Sequence, residues 1–174
     1  VASPGALGQI VNRIRALSRG NPIGIVGFSA GGTLAARLSS IPALKVAAVL
    51  NYYGPPDLRD WLNYHGGDIY GQYVRSRVPF SPKTINLLSG PSDTKAHVVS
   101  AFGMGDRNVV AGQSTESFSR DFPNGKTYTY PGGHGVLITA SRPALEDFLN
   151  HLPQDATAPA ARRGPRGRHR HTSA

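Results

Sequence analysis

A lone serine stands among small residues in Gly27-Phe28-Ser29-Ala30-Gly31-Gly32. Before it runs the β-branched segment Ile23–Phe28, and after it Thr33–Ser39 takes up a helical pattern. G-x-S-x-G between a strand and a helix puts the serine oxygen on a sharp, strained turn, clear of the backbone. Small neighbours are required there, and a side chain at Gly27 or Gly31 is expected to collide across the turn. The following helix aims amide N–H groups and its positive dipole end at Ser29, which suits an oxygen gaining negative charge. The Ala30 amide is the candidate donor to such an oxyanion. A serine capping a glycine-rich turn would also explain the motif taken bare. The flanking strand and helix, together with Gly32, favour the chemical reading.

Two further polar residues fall where an acid and a base are needed. Asp106 follows the apolar run His97–Phe102, and His134 follows the alternating run Lys126–Tyr130. In open α/β sheets, ligands lie outside the carboxyl ends of the strands, where Ser29, Asp106 and His134 all belong. Serine, acid, histidine is also the chain order of one class of hydrolytic triad. Ser29 then attacks a carbonyl, His134 carries the proton, and Asp106 orients and stabilises the imidazolium. Asp93 and Asp57 rival Asp106. Asp93 precedes its strand and sits at the wrong edge, while Asp57, just past Pro55-Pro56, is the better rival. His65, His97 and His151 read more simply as surface or capping histidines. No H-x-x-x-H spacing or carboxylate cluster marks a metal site, and neither metal nor cofactor is expected.

The elements that must hold these residues follow from periodicity. Leu7, Ile10, Val11, Ile14 and Leu17 form a helical stripe over residues 4–19, ended by Gly20-Asn21-Pro22. Val46–Tyr53 is a continuous apolar run, as expected of a parallel strand buried on both faces. Residues 57–96 read as an insertion with a short helix at Asp57–Tyr64; Trp61, Tyr64, Tyr70, Tyr73 and Phe80 either line a pocket or bury the insertion itself. Gln113–Phe122 looks helical. Ser141 can cap a last helix whose inner face carries Leu145, Phe148, Leu149 and Leu152. Strands alternating with helices predict an α/β fold, a mostly parallel sheet flanked by helices.

The chain has 174 residues, 39% of them hydrophobic, enough for one domain with a real core. Its net charge of +9 is uneven, since five arginines fall after Pro153. Residues 153–174 are Pro, Ala, Arg and His with little to bury, so a disordered, solvated tail is expected. Such a run can touch phosphates, yet nothing indicates specific nucleic-acid recognition. No apolar run is long enough for a transmembrane segment. The absence of cysteine excludes disulfides, thiolate metal sites and a cysteine nucleophile. Nothing fixes the compartment or the oligomeric state; the cytoplasm is the favoured expectation.

At these motifs the sequence resembles the α/β-hydrolase superfamily. Gly27–Gly32 is similar to its nucleophile elbow, Gly105-Asp106-Arg107-Asn108-Val109 to its acid loop, and Tyr130-Pro131-Gly132-Gly133-His134-Gly135 to its histidine loop. Tyr53-Gly54-Pro55 and Ser81-Pro82 resemble the esterase and dienelactone-hydrolase-like branch. The likeness covers about residues 4–152. It implies a serine hydrolase of small or medium carboxylic esters or thioesters, with a small-molecule substrate and an acyl-enzyme intermediate. It also implies strands before the elbow and a second oxyanion donor, so residues 1–152 are expected to be the C-terminal part of such a domain, truncated at the N-terminus. A non-catalytic remnant, an interaction domain and an acyltransferase using the same triad are the alternatives.

Overall fold

A computed structural model describes residues 4–77, 81–135 and 138–153. Phe80, the Leu7 side chain and the tail beyond Pro153 lie outside the described residues. Four strands form one sheet among them: β1 (Ile23–Phe28), β2 (Val46–Tyr52), β3 (His97–Gly103) and β4 (Lys126–Tyr130). All neighbours pair in parallel, in chain order β1-β2-β3-β4. When strand order equals chain order, right-handed crossovers stack the connecting helices on one face. That face carries α2 (Ala30–Leu38), α3 (Leu58–Tyr64) and α6 (Ala111–Asp121). Ala35, Ala36, Trp61, Leu62, Phe118 and Phe122 pack there against Val49, Val98 and Phe102. On the other face α7 (Arg142–Asn150) sets Ala144 and Phe148 against Ala48, Leu50, Val99 and Ala101. Each fully buried Val, Leu or Phe of these two layers contributes about 1.5–3 kcal/mol. Leu149 departs from the inner face expected of it and is 50% exposed, because α7 covers the sheet with a narrower stripe.

The insertion is helical. Asp57 caps α3 by accepting the Arg59 and Asp60 amides, and Ser81 caps α5 (Pro82–Leu87) by accepting the Thr84 amide. Between them lies α4 (Ile69–Arg77). The N-terminal helix α1 (Pro4–Ser18) forms as its periodicity predicts, yet Leu17 stays 67% exposed. β1 is an edge strand of the sheet, and Val26 and Phe28 are exposed on it. No helix among the described residues is long and apolar enough to cross a membrane.

The register fixes where the loops emerge. Phe28 pairs with Tyr52, Tyr52 with Ala101, and Gly103 with Tyr130. The carboxyl ends of the four strands are therefore level, and the segments carrying Ser29, Asp106 and His134 leave the sheet side by side.

Candidate active site

Ser29 stands directly between β1 and α2 with φ 50° and ψ −129°, a conformation that costs an L-residue on the order of 1–3 kcal/mol. The surroundings enforce it. The Ser29 amide donates to the Tyr52 carbonyl at 2.9 Å, and its own carbonyl accepts the Gly32 and Thr33 amides at 2.8 and 3.3 Å. A Cβ at Gly27 would come within 2.2 Å of the Gly31 carbonyl oxygen, and one at Gly32 would strike the Asn51 side chain. Gly31 does not share this constraint: its missing side chain would point into open space, because the close approach falls one residue later in the turn. Asn51, fully buried, secures the neighbouring loop by bonding both backbone groups of Gly54 and the Ser100 hydroxyl.

The loops after β3 and β4 are zipped together by backbone. Met104 N–H donates to Tyr130 O at 2.9 Å, and Gly105 N–H to Gly132 O at 2.7 Å. Gly103 permits this approach, since a Cβ there would lie 2.7 Å from the carbonyl oxygens of Gly132 and Gly133. Two backbone hydrogen bonds thus tie the acid and histidine segments to each other. Asp106 points inward with its side chain fully buried, and Oδ1 accepts the Asn108 and Val109 amides at 2.8 and 2.9 Å. Its other oxygen, Oδ2, faces His134 Nδ1 at 2.8 Å. His134 Nε2 lies 2.9 Å from Ser29 Oγ. Carboxylate, imidazole and hydroxyl form one continuous line.

That line sets the tautomer. A carboxylate only accepts, so Nδ1 carries the hydrogen and Nε2 presents its lone pair to the serine hydroxyl. The arrangement can draw a proton from Ser29 while the buried carboxylate stabilises the resulting imidazolium. The Tyr53 ring meets the imidazole edge-on with centroids 4.8 Å apart. Tyr53 itself adopts φ 43° directly after β2, a second strained residue at the same sheet edge. Burial first, and then the Asp106 charge, push the Tyr130 phenol far above its ordinary value, so this neighbour stays neutral. The Ala30 amide opens α2, and no acceptor among the described residues takes it.

The rival acids stand elsewhere. Asp93 is exposed ahead of β3. Asp57 caps α3, accepts the Gly90 amide at 2.8 Å and pairs with Arg120. Burial pushes its carboxyl up, but the Gly90 and Asp60 amides outweigh that and hold it low. His65 departs from its reading as a surface or capping residue. It does close α3, but it is buried: Nδ1 meets the Asp68 carboxylate, and Nε2 lies 2.7 Å from the Asn108 carbonyl. Trp61 Nε1 donates to that same carbonyl at 2.7 Å. Trp61 and His65 thereby brace the loop that holds Asp106, a role no local motif announces, because the accepting group is a backbone carbonyl remote in sequence.

A pocket of about 160 Å³ opens beside Ser29, walled by Leu58, Trp61, Val74, Leu88 and Val109. Of the insertion's described aromatic residues, Trp61 lines it, whereas Tyr64, Tyr70 and Tyr73 are exposed.

No protein-family model and no curated protein sequence matches the chain. Solved structures do. An esterase of Pyrococcus furiosus aligns with TM-score 0.57 and 16% identity, over 86% of this chain and 63% of that one. An acetyl xylan esterase from Paenibacillus sp. R4 aligns at 0.61 and 18%, over 87% and 55%. An acylaminoacyl peptidase of Pyrococcus horikoshii aligns at 0.58 and 18%, over 80% and 25%. The fold is that of the α/β-hydrolases. The chain spans less than two thirds of the length of each of these three relatives. Within the α/β-hydrolase fold seen here, Ser29, Asp106 and His134 all occupy the carboxyl edge of the sheet.

Proposed function

We propose that this chain carries a serine hydrolase site acting on carboxylic esters or thioesters. The observation that supports it is the unbroken path from Asp106 Oδ2 through the imidazole of His134 to Ser29 Oγ, at 2.8 and 2.9 Å. Ser29 Oγ attacks the substrate carbonyl carbon as its proton passes to His134 Nε2. The oxygen that becomes negative faces the Ala30 amide and the positive end of α2. When the tetrahedral intermediate collapses, the alcohol or thiol leaves with the proton from His134, and the acyl group stays on Ser29. Water then repeats the sequence through the same imidazole and releases the acid.

The apolar pocket beside Ser29 suits an acyl group of modest size. A dry cavity of about 150 Å³ holds a benzene ring, which sets the scale for a chain of roughly four to six carbons. The esterase and the acetyl xylan esterase among the structurally similar proteins support ester hydrolysis as the reaction class, not this acyl length.

A fluorophosphonate probe tests it. The folded chain is expected to be labelled at Ser29, and Ser29→Ala abolishes labelling whereas Ser3→Ala keeps it. A folded chain that takes no label and turns over neither p-nitrophenyl acetate nor p-nitrophenyl butyrate refutes the proposal.

A further inference from the structure

At the end of the sheet opposite Ser29, Asp147 is the hub of a second polar cluster. β3 begins there with His97, β4 begins with Lys126, and α7 ends there, followed by His151. His97 Nε2 lies 3.1 Å from Asp147 Oδ1, and His151 Nδ1 lies 3.2 Å from the same oxygen. Donor atoms of all three residues fall within 4.8 Å of one another. The other carboxylate oxygen is occupied: Tyr128 OH donates to Oδ2 at 2.8 Å, and Lys126 Nζ is 3.5 Å away. The carboxylate is thereby oriented with Oδ1 left to the two imidazoles.

The chemistry of this donor set is that of a transition-metal site. An ion holding nitrogen and oxygen ligands at about 2.0–2.1 Å in a tetrahedron keeps them about 3.3 Å apart. Both spacings centred on Oδ1 already have nearly that length. The imidazoles stack with centroids 3.5 Å apart and planes 15° from parallel. A neutral imidazole is the form that binds metal. Tyr128 supplies the kind of outer hydrogen bond that fixes a ligating carboxylate.

We propose that His97, Asp147 and His151 form a three-ligand site for a divalent transition ion, best matched by Zn²⁺, with water completing the coordination. Binding opens the ring stack so that both lone pairs converge. His151 Nδ1 gives up its 2.8 Å hydrogen bond to the Asp147 carbonyl, its proton moving to Nε2. That ring is about half exposed and has room to turn. Imidazole and carboxylate donors select Zn²⁺, Co²⁺ or Ni²⁺ over Mg²⁺ and Ca²⁺. The positive charge of Lys126 weakens the affinity. The bound ion clips the start of β3 to the end of α7 and stabilises the folded chain by mass action.

The full chain, stripped with a chelator, is titrated with Co²⁺ and Zn²⁺. One equivalent is expected to bind, with the visible absorption of four- or five-coordinate Co²⁺, displacement by Zn²⁺ and a raised melting temperature. His151→Ala and His97→Ala each weaken binding roughly tenfold or more, whereas His169→Ala with His171→Ala, which removes the tail imidazoles, leaves it unchanged. His151→Ala is expected to melt within a few degrees of the parent without metal, because its side chain is about half exposed. The proposal is overturned if neither ion binds up to about 0.1 mM, or if binding persists undiminished in His151→Ala. It is equally overturned if binding disappears in the tail double variant.

Discussion

His134 and His65 both set Nδ1 against an aspartate, and the difference between them lies at the far nitrogen. His134 Nε2 faces a hydroxyl, which can donate, so one ring nitrogen is free to take a proton. His65 Nε2 faces the Asn108 carbonyl, which only accepts. Only a ring with hydrogen on both nitrogens satisfies Asp68 and that carbonyl together. In the proposed hydrolase the first pair exchanges a proton with Ser29, at a partly open site. The second is buried under Trp61, Tyr64 and Tyr70 and holds a loop in place. An Asp–His pair is therefore no sign of catalysis by itself. What stands opposite the imidazole decides.

The contrast can be broken from either side. Ser29→Ala should lower esterase turnover by about 10⁴-fold or more with the melting temperature unchanged or raised, since the strained serine is relieved only in part. Asp106→Asn presents an amide where the carboxylate was and favours the wrong tautomer of His134, with an expected loss of about 10⁴-fold in kcat. The matching Asp68→Asn should cost less than about tenfold, because the bond it weakens acts on a loop and not on the reacting proton. If the two aspartate variants lose activity equally, the distinction between the pairs fails.

His65→Gln sharpens it on the stability side. Gln can keep one of the two hydrogen bonds and leaves a buried group unpaired, at about 1–3 kcal/mol. For a chain of this length that is a fall of about 2–4 °C in Tm per kcal/mol. Esterase kcat measured well below the melting point should fall far less than in Asp106→Asn.

The smallest effect is in acid. The Gly71 amide, and after it the partial burial that opposes it and the bond to His65, leave the Asp68 carboxyl below its ordinary value. An unfolded aspartate takes up its proton near pH 3.9, so the unfolded chain binds more protons at this residue than the folded one. Its contribution is present above about pH 4 and is lost as the pH falls through the lower folded value. The stability gap between the parent and Asp68→Asn in urea should therefore be open at pH 6 and close towards pH 3. Asp57, also held low, is common to both chains and cancels in the difference.

Much of the carboxyl edge was legible because its information is local. Gly27 and Gly32 are spelled out beside Ser29, and the β-branched runs mark where each strand must stop. Asp106 and His134 follow strands, so parallel order alone predicts the same edge for both. The rest was hidden for two reasons. Backbone carbonyls have no letter, and the Asn108 carbonyl that His65 and Trp61 bond is such a group. Long-range pairing also leaves no spacing: Asp147 and His151 are one helical turn apart in the sequence, but His97 joins them only when β3 lies against α7. Gly31 shows the opposite error, a residue in the motif that the fold does not constrain.

By itself the amino-acid order determined the alternation of strands and helices, the strained serine turn, and which side chains can reach the carboxyl ends of the strands. Those depend on steric preference and periodicity over a few neighbours. Only the tertiary structure decided that the three side chains share one hydrogen-bonded line, that His65 is buried, and that His97 meets Asp147. Each depends on strand register and on loops approaching within hydrogen-bond distance, where a shift of one residue turns every side chain to the other face.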